Sequence, residues 1–181
     1  MNSRWSGLED RIAEGAFRAA AAVSALLSWE LPEPGRCRQV DAADLIASIR
    51  APDDWIAAVA SELKGGENGS AAILFSRPAV DALLDSLLGW RPGVVFAERE
   101  RSALCETGNI AISAAAGVLG AHAGRPVVPS LPKLDCGRAA CVLSRLLPLG
   151  ARAGADVYLV DSSWGGGPAS PGVRFFWVGA G

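Results

Sequence analysis

The stretch Ser102-Ala-Leu-Cys-Glu106-Thr-Gly-Asn109-Ile-Ala-Ile-Ser113 decides how the rest of the chain is read. Its spacing is helical. At about 100° per residue, Ser102, Glu106, Asn109 and Ser113 share one narrow stripe. Leu104, Ala111, Ala115, Val118 and Leu119 fall on the opposite side, which is expected to be the buried one. Ser102 is expected to be the N-cap, since its hydroxyl can accept from the free amides of the first turn; this places the helix over about 103–121. Within it, Thr107, Gly108 and Asn109 are poor helix formers that together cost roughly 1.5–2 kcal/mol against alanine. A local rule broken inside a good pattern points to function. The alternative is a capped surface helix with an ordinary acid and amide on its wet face.

Upstream, a first helix is expected over about 7–28, with Leu8, Ile12, Ala16, Ala19, Val23, Leu26 and Leu27 on one face. Leu31-Pro-Glu-Pro-Gly35 stops it, and Arg36-Cys-Arg-Gln-Val40 reads as extended. Asp41 can cap a short helix over 42–49. The runs 55–63 and 70–75 suit a hairpin across the turn-rich Lys64-Gly-Gly-Glu-Asn-Gly69, although the alanines of the first run also suit a helix. Ser76 and Pro78 open a helix over 79–88 that Gly89 closes. Downstream of the central helix, 127–134 reads as extended. Asp135 or Gly137 leads into a helix through Leu147, and 155–161 and 173–178 are the last strands.

The two halves echo each other as helix, extended piece, helix and hairpin. A shift of 92 residues (102 minus 10) places Asp10 on Ser102, Glu14 on Glu106 and Phe17 on Asn109. The same shift sets Ile12 on Leu104, Ala19 on Ala111, Leu26 on Val118 and Leu27 on Leu119.

Composition narrows the function classes. The chain has 181 residues, half of them hydrophobic, and a formal net charge of -2, which suits one domain with a sizeable core and argues against disorder. Its basic residues are scattered, so no nucleic-acid face is expected. Cys37, Cys105, Cys136 and Cys141 form no C-x-x-C pair, and His122 is the single histidine. No zinc site is therefore expected, and reduced thiols in a cytoplasmic protein are the simpler reading. The acidic Glu9-Asp10 pair suits an amphipathic helix better than a signal peptide. The apolar run 110–124 is shorter than the ~20 residues of a membrane span, and is expected to be a core helix rather than a membrane insertion. His122 is expected to have a capping or surface role near the helix end. Gly165-Gly-Gly167 lacks the lysine and Ser/Thr of a phosphate-binding loop and reads as a hairpin loop. Trp164, Phe175, Phe176 and Trp177 read as core and edge residues, and no G-x-S-x-G nucleophile elbow is present.

The spacing Ser102-x3-Glu106-x2-Asn109, with Pro132 a further 22 intervening residues on (110–131), resembles the signature of the CheC/CheX/FliY phosphatases. Those proteins dephosphorylate the response regulator CheY in bacterial chemotaxis. The resemblance implies an α/β fold of duplicated α-β-α-β-β units with pseudo-twofold symmetry. The sheet would be largely antiparallel or mixed, with two signature helices side by side. It also implies a single domain spanning 1–181, with half-repeats at about 7–90 and 98–181. The first half would then carry a degenerate site: Asp10 and Glu14 fit the pattern, Phe17 stands where the amide belongs, and Val40 stands where the proline belongs.

What the resemblance implies chemically is modest. An aspartyl phosphate on a receiver domain already hydrolyses by itself with that domain's own Mg²⁺, so a phosphatase for it needs no cofactor of its own. Catalysis is mainly positioning and electrostatics. Asn109 would hold the attacking water in line, since a carboxamide both donates and accepts. Glu106 would pair with a lysine of the regulator and dock it. Ser102 would orient the helix start or touch the regulator, and Pro132 would shape the neighbouring backbone. The alternative is a binding protein without turnover: a scaffold for phosphorylated regulators, a CheD-binding adaptor, or a flagellar-switch-associated module.

Overall fold

The computed structural model describes residues 7–30, 35–40, 54–65, 69–93, 95–146, 157–163 and 172–179. The chain opens with α1 (Leu8–Leu27), whose buried positions Leu8, Ile12, Ala16, Ala19, Ala20, Val23 and Leu27 recur at helical spacing. Leu26, expected on that face, is 46% exposed. Strand β1 (Cys37–Val40) follows, and the short helix expected over 42–49 lies outside the described residues.

Next come β2 (Trp55–Lys64) and β3 (Gly69–Ser76), paired antiparallel from Ile56 opposite Ser76 to Leu63 opposite Gly69. The alanine-rich run of β2 is thus a strand. It looked ambiguous because both faces of the sheet are covered, which leaves no alternation of polar and apolar residues. Helix α2 (Arg77–Leu88) starts where Ser76 Oγ accepts from the Ala79 N–H at 3.4 Å, and it ends at Gly89 with φ 76°.

The central helix, α3 (Glu98–Ala123), has 26 residues and is longer than its sequence suggests. By length and composition it would reach across a membrane. Leu104, Ala111, Ile112, Ala115 and Ala116, however, pack into the core beside α1 and the sheet. The extended piece after it is two strands, β4 (Val128–Pro129) and β5 (Lys133–Arg138). Asp135 and Gly137 therefore lie in a strand, and α4 (Ala139–Leu146) begins later than either. Six strand pairings to β2 from Trp55–Arg138 to Ala60–Lys133 extend the strand that far. The last strands are β6 (Val157–Ser163) and β7 (Gly172–Gly179). Gly165-Gly-Gly167 and Trp164 fall outside the described residues, whereas Phe175 and Trp177 are buried in the core.

Among the described residues all strand pairs are antiparallel, in the order β1-β6-β7-β3-β2-β4, with β5 also on β2. This order has a twofold logic. Each half lends the strands that follow its first helix to the other half's hairpin, β1 to β6, and β4 and β5 to β2. The pair β3–β7 sits at the centre, where Ile73 faces Phe175.

One face of the sheet carries α1, α2 and α3 over Ala57, Val59, Ile73, Tyr158, Phe175 and Trp177. The other carries α4 over Ile56, Ala58, Leu74, Leu159 and Val178. The helices α1 and α3 lie side by side, with Gly15 against Ala115 at 3.5 Å from a Cβ placed on the glycine. Between them Glu14 of α1 lies 3.9 Å from His122 in the last turn of α3.

Candidate functional site

The start of α3 is set earlier than Ser102. Its N-cap is Ala97, whose side chain can accept nothing; the capping work is done by Glu100, which takes the Ala97 N–H at 2.7 Å. Glu100 also accepts from Trp90 Nε1 at 3.2 Å and is 6% exposed. The acids Glu98 and Glu100 in the first turn suit the positive end of the helix dipole. Ser102 is consequently an exposed residue of the second turn and not the cap.

The connector before the helix is held as firmly. Arg77 Nη2 donates to the carbonyls of Pro92 at 3.2 Å and Gly93 at 2.9 Å, and Arg77 Nε to Asp81 at 2.8 Å. Its guanidinium also sits 5.2 Å from the Trp55 ring and 5.7 Å from that of Phe96, two rings that meet edge to face.

Along α3, Ser102, Glu106 and Ser113 are exposed and Asn109 is half-buried, so the stripe expected from the sequence points outward. Among the described residues, no ion pair or hydrogen bond engages the Glu106 carboxylate or the Asn109 amide. The other two irregular residues do something else. Thr107 is fully buried and donates from Oγ1 to the Ala103 carbonyl at 2.8 Å. Gly108 faces Val59 of β2, where a Cβ would overlap the valine side chain. Val118 and Leu119, expected to be buried, are only half-buried; Thr107, Gly108 and Ile112 take the deeper places.

Pro132 is half-buried and immediately precedes β5. Two residues on, Leu134 pairs with Val59, the residue under Gly108. Pro132 therefore leads into the strand next to the one that packs under Gly108 of α3. A shallow, open depression that includes Glu98, Arg99, Ser102, Ala103 and Glu106 runs along the start of the stripe.

The first half's counterparts are separate from this stripe. Asp10 and Glu14 are exposed on α1 and Phe17 is half-buried, while Val40 ends β1 opposite Val157. His122 is exposed, with Nδ1 3.1 Å from the Val118 carbonyl.

Cys37, Cys105 and Cys136 are poor nucleophiles. Burial pushes Cys136 up to about 11, against the lowering effect of Arg101, and burial with Glu9 and Asp10 pushes Cys37 up to about 12. Burial also raises Cys105, again opposed by Arg101. All four cysteines are free, and among the described residues no cluster of three or more His, Cys, Asp or Glu side chains could hold a metal. Sequence reasoning missed Glu100, Trp90 and Arg99; the signal for them was Glu98-Arg-Glu100, an acidic first turn ahead of Ser102.

The architecture is that of the CheC-like chemotaxis proteins. A structure of Thermotoga maritima FliY superposes with a TM-score of 0.72 at 18% identity, covering 97% of this chain and 90% of that one. The CheX–CheY complex from Borrelia burgdorferi, with BeF3 and Mg²⁺, matches with a TM-score of 0.57 at 15% identity over 91% of this chain and 95% of that one. A FliG–FliM complex from H. pylori matches with a TM-score of 0.65 at 13% identity, over 99% and 94%. At these identities the likeness is one of fold. No family profile and no curated protein sequence matches the chain.

Proposed function

We propose that the chain is a protein phosphatase for the aspartyl phosphate of a CheY-like receiver domain, working in the cytoplasm as one CheC-like domain over 1–181 with a single active stripe in its second half. The observation that carries this reading is the placement of Glu106 and Asn109, one turn apart on the outward face of a helix anchored at its start. The existence of a CheX–CheY complex with this fold supports the choice of partner.

In this reading Glu106 meets a basic group of the receiver and docks it. Asn109 holds a water in line with the phosphorus, using its carbonyl as acceptor and its amide as donor. The receiver supplies the Mg²⁺. Ser102 touches the partner beside Glu106, and Pro132 fixes the backbone leading into β5. The half-buried Phe17 leaves the first half without the amide, so Asp10 and Glu14 do no hydrolysis.

The FliG–FliM match favours a second reading, a binding module of the flagellar switch or an adaptor, including one that binds CheD, in which the same stripe docks a partner without turnover. Phosphate release from a phosphorylated receiver, followed with and without the protein, separates the two. Acceleration supports the phosphatase; binding with an unchanged rate supports the adaptor.

A further inference from the structure

The polar stripe of α3 does not begin at Ser102. Arg99 lies one turn earlier on a neighbouring bearing and is exposed. Its guanidinium sits 5.1 Å from the centroid of the Trp90 ring. Trp90 is 41% exposed, yet its indole is fixed by the bond from Nε1 to the buried Glu100 carboxylate. Arg77 pins the connector that carries it at Pro92 and Gly93. Val95, two residues before the cap, is 84% exposed. Among the described residues no carboxylate lies within ion-pair distance of Arg99. The depression that holds Arg99 also holds Glu98, Ser102 and Glu106, so it is continuous with the docking residue of the proposed site, and Glu98 stands beside Arg99 without pairing with it.

We propose that Arg99, stacked on Trp90, is a second docking anchor that binds a carboxylate of the receiver domain engaged by Glu106. This rests on the reading given under Proposed function and adds a partner requirement to it. Arg99 and Glu106 are seven residues apart, about 10 Å along a helix. The fitting receiver surface therefore presents an acidic group about 10 Å from the basic group that meets Glu106, with an apolar side chain near Trp90. Anchors of opposite sign at the two ends of one groove fix the partner's orientation and set a charge clash against the reversed one. Because Trp90 and its connector are already immobilised, little side-chain freedom is lost on binding. Rigid Trp and Arg side chains are the residue types that dominate interface energetics.

The test titrates a Mg²⁺-loaded, beryllofluoride-activated receiver domain against wild type, Arg99→Ala, Arg99→Lys, Arg99→Glu and Glu106→Ala, at low and high salt, alongside hydrolysis rates at saturating protein. Arg99→Ala is expected to weaken binding at least about fivefold, Arg99→Glu more, and both to flatten the salt dependence. Arg99→Lys, which keeps the charge but loses the planar stack, falls between. All Arg99 variants keep the wild-type rate at saturation. Wild-type affinity in Arg99→Ala and Arg99→Glu, with weakened binding in Glu106→Ala, overturns the anchor and leaves the phosphatase reading standing. Failure of the wild type to bind any activated receiver overturns both.

Discussion

Gly108 of the central helix lies against Val59 of β2 so closely that a methyl group on the glycine would overlap the valine side chain. This contact explains a residue that helix propensity disfavours. Alanine at 108 would gain roughly 0.8–1 kcal/mol of intrinsic helicity, but overpacking of a tight contact costs about 1–3 kcal/mol. Gly108→Ala should therefore lower the urea midpoint, with a net loss of up to about 2 kcal/mol. A raised midpoint would show that the helix can lift off the sheet at little cost.

Glu100 is the second device that places the stripe. It is buried and holds both the Ala97 amide and the Trp90 indole. Glu100→Ala strands these donors and should destabilise the protein by about 1–3 kcal/mol. Hydrogen exchange should reveal fraying confined to the first turn of α3, with Glu100→Gln milder because it keeps an acceptor. Unchanged protection of the first-turn amides in Glu100→Ala would contradict this assignment.

The buried thiols predict an alkaline limit. Cys37 is raised from the usual 9.0 to about 12, and Cys136 to about 11, chiefly by burial. A raised thiol pKa favours the protonated form in the folded state. Its contribution is complete below pH 9 and is lost as pH climbs toward 11 to 12, because the unfolded chain ionises first. Thermal melts of the wild type should fall across that window. The Cys37→Ala/Cys136→Ala double variant should fall less steeply, and parallel curves would exclude the thiols as the cause.

Glu106 is assigned to docking, so Glu106→Ala should raise the concentration needed for half-maximal phosphate release about tenfold, the effect of losing ~1.4 kcal/mol of binding. The rate at saturation should change much less. A loss seen equally at limiting and saturating protein would move Glu106 into the chemistry itself.

Much of this fold was legible in the sequence because periodicity survives where one face of an element is wet. The stripe Ser102, Glu106, Asn109, Ser113 and the α1 core positions Ile12, Ala19 and Val23 stand as spacing implies. Legibility fails where both faces are covered, as in β2, whose continuous burial from Ile56 to Ser61 erases alternation. It also fails at α3's first turn, because Ala97 carries no capping side chain and Glu100 supplies the cap from inside the helix. The irregular Thr107-Gly108-Asn109 run had two causes that sequence could not separate. Thr107 and Gly108 answer to packing against the sheet, and only Asn109 lies on the outward stripe.

The most direct measurement is single-turnover phosphate release from a phosphorylated receiver domain at saturating wild type and saturating Asn109→Ala. The substitution leaves a half-buried helix position and should, if anything, stabilise the fold slightly, by about 0.5 kcal/mol. If Asn109 orients the attacking water, its removal should abolish most of the acceleration while the affinity for the phosphorylated receiver stays near wild type. Equal release rates for the two proteins, on every receiver that the wild type accelerates, would contradict the account.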